Sequence, residues 1–166
     1  MGALGGGELA GERLTVAYET KDQENEHSCF SDNTHNDIRL DALGIENVFL
    51  GRYRRDEGGG VSGPGLFDWV ALANAALALR LKGEIAASVA AAGAIPAPFD
   101  QAILGNDQQP GRQAIRATIQ ALQRQSDTLA EVAAAFDIAL NLTSPPGARA
   151  APAGSPPLSA LPGGRP

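Results

Sequence analysis

The sequence predicts an all-α fold, an antiparallel helical bundle followed by a disordered tail, and three observations carry that reading. Hydrophobic residues make up 43% of the 166 positions and aromatic residues only 5%. A core built that way consists of Ala, Leu, Ile and Val and favours closely packed helices over a β-sandwich. The apolar residues recur at steps of three and four over long stretches, which is one face of a helix. The connections between those stretches are short and marked by Gly and Pro, which places consecutive helices side by side and antiparallel. The length suits one domain with a real core.

Residues 1–7, rich in glycine, are expected to be flexible, and the helical domain is expected to span 8–142. A first helix is predicted over Glu8 to about Thr20, with acids in its first turn complementing the helix dipole. Leu9, Val16 and Ala17 give it an apolar face. Lys21 to Ser31 is polar, lacks a helical period and reads as an ordered loop, of a length that is often functional. A second helix is expected from Ser31–Thr34, with Thr34 and Asp37 as a capping box. Its face is Ile38, Ala42, Ile45, Phe49 and Tyr53. Gly44 and Gly51 weaken it, by roughly 1 kcal/mol each relative to Ala. Arg54 to Gly65 reads as a loop.

A third helical region follows over Leu66–Ala92, with Val70, Ala73, Leu77, Leu81, Ile85 and Val89 on one face and a break at Asn74. Gly93 to Pro110 is a connection with Pro96, Pro98 and Gly105 as breakers. The last helix is expected over Gly111–Leu142, its face set by Ile115, Ile119, Leu122, Leu129, Val132, Phe136 and Leu140. From Thr143 to Pro166, eleven of 24 residues are Pro or Gly and none is acidic. Such a segment is expected to be disordered.

The net charge of −6 is unevenly placed. Residues 8–57 carry twelve acids and six bases, and residues 58–166 carry seven of each, so the first third holds all of the excess. An acidic surface repels nucleic acid and suits a cation. The single cysteine forms no internal disulfide. Met1–Gly7 lacks the regions of a signal peptide, and no apolar run approaches the roughly 18 residues of a membrane span.

The chemistry concentrates in Tyr18–Asp37. This stretch holds both histidines, the only cysteine and six carboxylates against one basic residue. Glu26, His27, Asp32, His35 and Asp37 are the candidate metal ligands, a mixed imidazole–carboxylate set suited to zinc or non-haem iron. Their spacing matches no ordered metal motif. Asp32 and His35 lie three apart at a helix start, where they also suit plain capping. Glu19, Asp22, Glu24 and Glu26 form a charge run of the kind that is usually solvated. Cys29 sits in a negative field that raises a thiol pKa, which argues against a nucleophile; beside Phe30 it reads as a small buried apolar group. Arg52, Arg54 and Arg55 read as ion-pair partners or exposed charges, and Phe67 and Trp69 as core.

The run Glu26-His27-Ser28-Cys29-Phe30-Ser31-Asp32-Asn33-Thr34-His35, within AYETKDQENEHSCFSDNTHND and followed by ALGIENVFLGRY, closely resembles the second half of the imelysin family. This is a set of bacterial cell-envelope proteins linked to iron uptake and also classed among metallopeptidases. The likeness covers about residues 7–142. It implies an all-α protein of two bundle halves with a site at their junction, a periplasmic or envelope location, and iron or zinc as the metal. The family's Gly-x-His-x-x-Glu motif does not occur in this sequence. The chain is therefore expected to correspond to the C-terminal half, with a first half or a second copy of itself as partner. Peptide hydrolysis needs metal, activated water and base in one geometry, so it is expected only together with that motif. A structural remnant is the remaining alternative.

Overall fold

A computed structural model describes residues 1–55 and 57–140. The chain opens with a π-wound helix, Ala3–Thr15, that runs without a break into α1, Val16–Thr20. Two side-chain bonds span five residues, as wide turns allow: Thr15 Oγ1 donates to the Ala10 carbonyl at 2.6 Å, and Arg13 Nε donates to Glu8 at 2.7 Å. The expected flexibility of residues 1–7 is thereby corrected, because the helix already covers them. The glycines are what allow it. Gly5 is buried, and a Cβ there would come within 2.7 Å of the Gln125 side chain, so the bare backbone lets this helix lie close against the last one.

After a 3₁₀ turn at Gln23–Asn25, α2 spans Thr34–Leu50 and buries Ile38, Ala42, Ile45 and Phe49, the expected face. Thr34 and Asp37 do not form the expected capping box; Asn33 precedes the helix and its side chain caps nothing. Gly51 does not weaken the helix but ends it. It adopts φ 62° and donates its N–H back to Asn47 and Val48. Tyr53 then leaves the helical face for a short hairpin, β1 (Arg52–Arg54) with β2 (Gly60–Ser62), in the register Tyr53↔Val61. This hairpin replaces most of the expected loop.

The third region divides where expected. α3 is Leu66–Ala73 and α4 is Ala75–Gly93, with Asn74 capping α4 by accepting the Leu77 N–H at 3.0 Å. The following connection contains a short α5, Phe99–Ala102. α6 runs from Pro110 to Ala135, with proline at the start where its missing N–H costs nothing. It ends seven residues short of the expected boundary at Leu142. The expected tail, 143–166, lies outside the described residues.

The N-terminal helix, α2, α4 and α6 form the bundle, with α3 packed beside α4 and α2. Their directions alternate. Arg112 at the start of α6 reaches the Tyr18 carbonyl, while Ser126 further along reaches the Gly2 carbonyl. Arg80 near the start of α4 pairs with Glu131 near the end of α6. The core divides into two clusters along the bundle. One contains Leu9, Leu14, Ile38, Phe99, Ile103, Ile115 and Leu122, and the other Ile45, Phe49, Leu81 and Ile85. Each such side chain contributes about 1.5–3 kcal/mol on burial. Trp69, expected in the core, is 48% exposed and stacks on Phe136 with ring centroids 3.9 Å apart. Phe67 meets Phe49 edge-on at 6.0 Å.

Candidate functional site

The polar stretch begins where α1 ends. Lys21 takes a left-handed conformation, φ 57°, and its Nζ donates to the Gly105 carbonyl at 2.7 Å. Asp22 accepts the Glu24 N–H at 3.0 Å and opens the 3₁₀ turn, and Asn25 donates to the Thr20 hydroxyl at 3.1 Å. The chain then turns inward at Glu26.

Residues 28–37 are pinned to the first turn of α2. The Ser28 N–H donates to Thr34 Oγ1 at 3.0 Å, and the Ser28 hydroxyl donates to Asp37. Asn33 Nδ2 donates to the other Asp37 oxygen at 2.8 Å, and Asn33 Oδ1 accepts from Asn36 Nδ2 at 3.0 Å. Asp32 closes the turn at φ 55°, a conformation aspartate tolerates better than most residues. Phe30 points into solvent from this turn, and Cys29 is a half-buried free thiol rather than a buried one.

Within this frame the five sequence candidates have different fates. Asp37 is committed to two hydrogen bonds that hold the loop. Asp32 and His27 are exposed. His35 is half-buried, with its Nδ1 buried and without a partner. Glu26 is 4% exposed, and neither carboxylate oxygen has a hydrogen-bond partner. Burial pushes the Glu26 pKa above its ordinary value; the nearby Thr34 hydroxyl pulls the other way, and Asp100 and Asp32 add to the rise. Thr34 lies close enough to exert that pull but makes no bond of proper geometry to the carboxylate, so the group remains unsatisfied.

Two carboxylates that sequence reasoning passed over belong to the same surroundings. Asp41 is half-buried, and burial raises its pKa against the pull of His27, with Asp37 and Glu8 adding to the rise. Its spacing of four from Asp37 puts both on one side of α2, a signal the sequence did carry. Asp100, on α5, has Oδ1 buried without a partner while a carboxylate oxygen accepts from Gln101 at 2.9 Å. Nothing in the sequence ties position 100 to position 26. Beside α5 lies an open cleft of about 360 Å³ lined by Pro96, Pro98, Gln101, Leu104, Gly105 and Gln109, among others.

The frame itself hangs on Arg112, also missed. This guanidinium is 4% exposed and donates to the Tyr18 and Ile103 carbonyls at 2.8 and 2.7 Å. It also makes two bonds to Asp107, at 3.0 and 2.7 Å, and lies over the Tyr18 ring, 3.7 Å from its centroid. The Tyr18 hydroxyl donates to the same Asp107 oxygen at 2.9 Å. Arg112 thus locks the start of the polar loop to the connection that carries α5.

Fold and site together define an all-α, up-and-down bundle protein whose polar loop buries an unpaired carboxylate at one end of the core. The family model for imelysin (Peptidase M75) matches residues 1–129, and the chain belongs to the imelysin family. No curated protein matches the chain. A metal implied by that family needs donors that are free to turn towards it. Glu26 and the Nδ1 of His35 are free in this sense; Asp37 is not. Among the described residues no three His, Cys, Asp or Glu side chains gather so as to hold a metal ion. The structure therefore sets the five candidates on one loop and helix start without converging them into a coordination sphere.

Proposed function

We propose that this imelysin-family protein serves metal acquisition at the bacterial cell envelope, with iron the leading metal and zinc the alternative. The observation that carries the reading is Glu26. A carboxylate buried without a single hydrogen bond is costly, and a fold retains such a group where a ligand completes it. Glu26 stands inside the motif that carries the family resemblance, next in chain to His27, and the Nδ1 of His35 in the same motif is likewise buried without a partner. In this reading Glu26 and His35 face the ion, His27 and Asp32 form the acidic, exposed approach, and Asp37 holds the loop. The acidic excess of residues 8–57 attracts cations and repels nucleic acid. The envelope location rests on the family. Among the described residues no helix is long and apolar enough to cross a membrane.

The test is metal content and melting temperature of the purified chain with added Fe²⁺, Fe³⁺ and Zn²⁺. A ligand present at about 100 times its dissociation constant stabilises the folded state by roughly 2.7 kcal/mol. The reading expects a clear rise in melting temperature, reduced in a His27→Ala/His35→Ala variant and in Glu26→Gln. Equal response of wild type and variants to all three ions would overturn it.

A further inference from the structure

We propose that residues 156–162 of this chain, Pro-Pro-Leu-Ser-Ala-Leu-Pro, dock within the same molecule on an apolar cavity at the end of the bundle far from Glu26. The cavity, about 220 Å³, lies between α3 and the end of α6, and every residue lining it is apolar. Phe49 and Val70 in its lining are buried, whereas Trp69, Ile138 and Leu140 are exposed. Leu72, three residues past Trp69 on α3, is 88% exposed and extends this surface. Contiguous apolar surface of this kind marks a site of contact.

The path of the chain identifies what covers it. α6 ends in a turn in which Asp137 takes φ 55° and the Ile138 N–H donates to the Ala133 carbonyl at 2.9 Å. The turn brings the chain back onto the cavity, where Ile138 and Leu140 join the lining. The described residues therefore end at the cavity itself, and the 26 residues 141–166 follow from there. Within 143–166 the only large apolar side chains are Leu158 and Leu161, set among Pro156, Pro157 and Pro162. A proline-rich segment needs no core of its own, because its extended form docks on exposed aromatic rings. The stacked pair Trp69 and Phe136 offers such a ring surface.

Charge favours the same occupant. Residues 143–166 carry Arg149 and Arg165 and no acid, whereas residues 1–142 carry eleven bases and nineteen acids. Exposed Asp68 and Asp137 stand next in chain to Trp69 and Ile138. Reach sets no limit. Eighteen residues lead from Leu140 to Leu158, at most roughly 60 Å when extended, against about 39 Å for the whole of α6. A tether of this kind holds the segment at an effective concentration on the order of millimolar, so even a weak contact is populated. The segment of a second copy has no such advantage.

Trp69 is the only tryptophan, so its fluorescence reports on the cavity directly. The experiment compares three full-length proteins: wild type, Leu158→Asp/Leu161→Asp, and Ala148→Asp/Ala150→Asp, which adds the same charge outside the segment. All four positions lie outside the bundle helices, and circular dichroism checks that the fold is retained. The leucine pair is expected to move Trp69 emission to longer wavelength and to raise its quenching by acrylamide about twofold, since a docked segment shields the ring. The alanine pair is expected to change both by less than half as much. If the leucine pair leaves Trp69 as in wild type, the contact does not exist. If both pairs act equally, charge alone is responsible and the docking of 156–162 is refuted. If wild-type quenching falls as protein concentration rises from about 1 to 100 μM, the cover comes from a second copy and the intramolecular assignment is overturned.

Discussion

Arg112 and Glu26 are equally buried, each 4% exposed, and the fold treats them in opposite ways. Arg112 has four hydrogen bonds and an aromatic ring beneath it. Glu26 has none. A buried charge that is completely bonded contributes to structure, because it fixes the elements that supply its partners. A buried charge with no partner weakens the structure that holds it, and its persistence points to a role outside folding. The two sit at either side of the same junction, where α1 meets the connection between α4 and α6. The satisfied group therefore builds the place in which the unsatisfied one is held.

Arg112→Ala is the strongest way to break that contrast. It removes the bonds to two backbone carbonyls and to Asp107, together with packing against Tyr18. A loss of about 3 kcal/mol is expected from unpaired buried groups of this kind, measured as a fall in the denaturation midpoint. The loss should extend to metal binding, since only Lys21 bonding to Gly105 and Tyr18 bonding to Asp107 would then tie the start of the polar loop to the connection between α4 and α6. A loss below about 1 kcal/mol would mean that water replaces the guanidinium, and the keystone role would fail.

Glu26→Gln tests the opposite member. Removing the charge is expected to stabilise the protein by on the order of 1 kcal/mol at neutral pH, while metal binding is lost. The pH dependence has a definite sign. The folded-state pKa of Glu26 lies above its ordinary 4.5, so as pH rises past that value the unfolded chain ionises first. Stability falls from there until pH passes the folded pKa, and stays lower above it. Asp41 adds a fall of the same sign. In Glu26→Gln the Glu26 share of this fall disappears. A variant that shows the wild-type slope would mean that the carboxylate is solvated.

Gln125 sharpens the comparison from a neutral direction. It is fully buried in α6, with both amide atoms unpartnered, and it faces the glycines of the N-terminal helix. Gln125→Leu is expected to be neutral or to stabilise by up to about 1 kcal/mol, and to leave metal binding unchanged. A loss of metal binding would show that unpaired polar groups across the core, and not the Glu26 junction alone, serve the ligand.

Much of the bundle was legible in the sequence because packing follows period. Ile38, Ala42, Ile45 and Phe49 are buried as their spacing requires, and Asn74 breaks and caps where its side chain suits both. The N-terminus was misread because glycines suggest freedom when no partner surface is visible, whereas Gly5 serves close approach to Gln125. Gly51 looked like a weak helical residue and is a terminator, a difference that lies in the sign of φ. For the site, chemistry at neighbouring positions could be read and pairing across the fold could not. Glu26 and His35 stood out by composition. Arg112 did not, because its meaning comes from Tyr18, 94 residues away in the chain.

The smallest expected effect concerns Asp107, the exposed partner of Arg112. Hydrogen bonds from Arg112, then from Tyr18, hold its carboxyl below the ordinary 3.8. The sign is opposite to that of Glu26. The stabilising share is present above 3.8 and is lost as pH falls through the lower folded value. Asp107→Asn should therefore lower the melting temperature slightly at neutral pH, far less than Arg112→Ala, because the buried guanidinium keeps both carbonyl partners. The difference between variant and wild type should shrink as pH drops below 3.8 and vanish once the carboxylate is protonated in both states. Melting curves of the two proteins from pH 2.5 to 7, in about half-unit steps, would resolve it. If Asp107→Asn destabilised as strongly as Arg112→Ala, the exposed carboxylate, and not the carbonyls, would be what makes Arg112 tolerable in the core. The contrast with Glu26 would then reduce to whether an acid and a base happen to be paired.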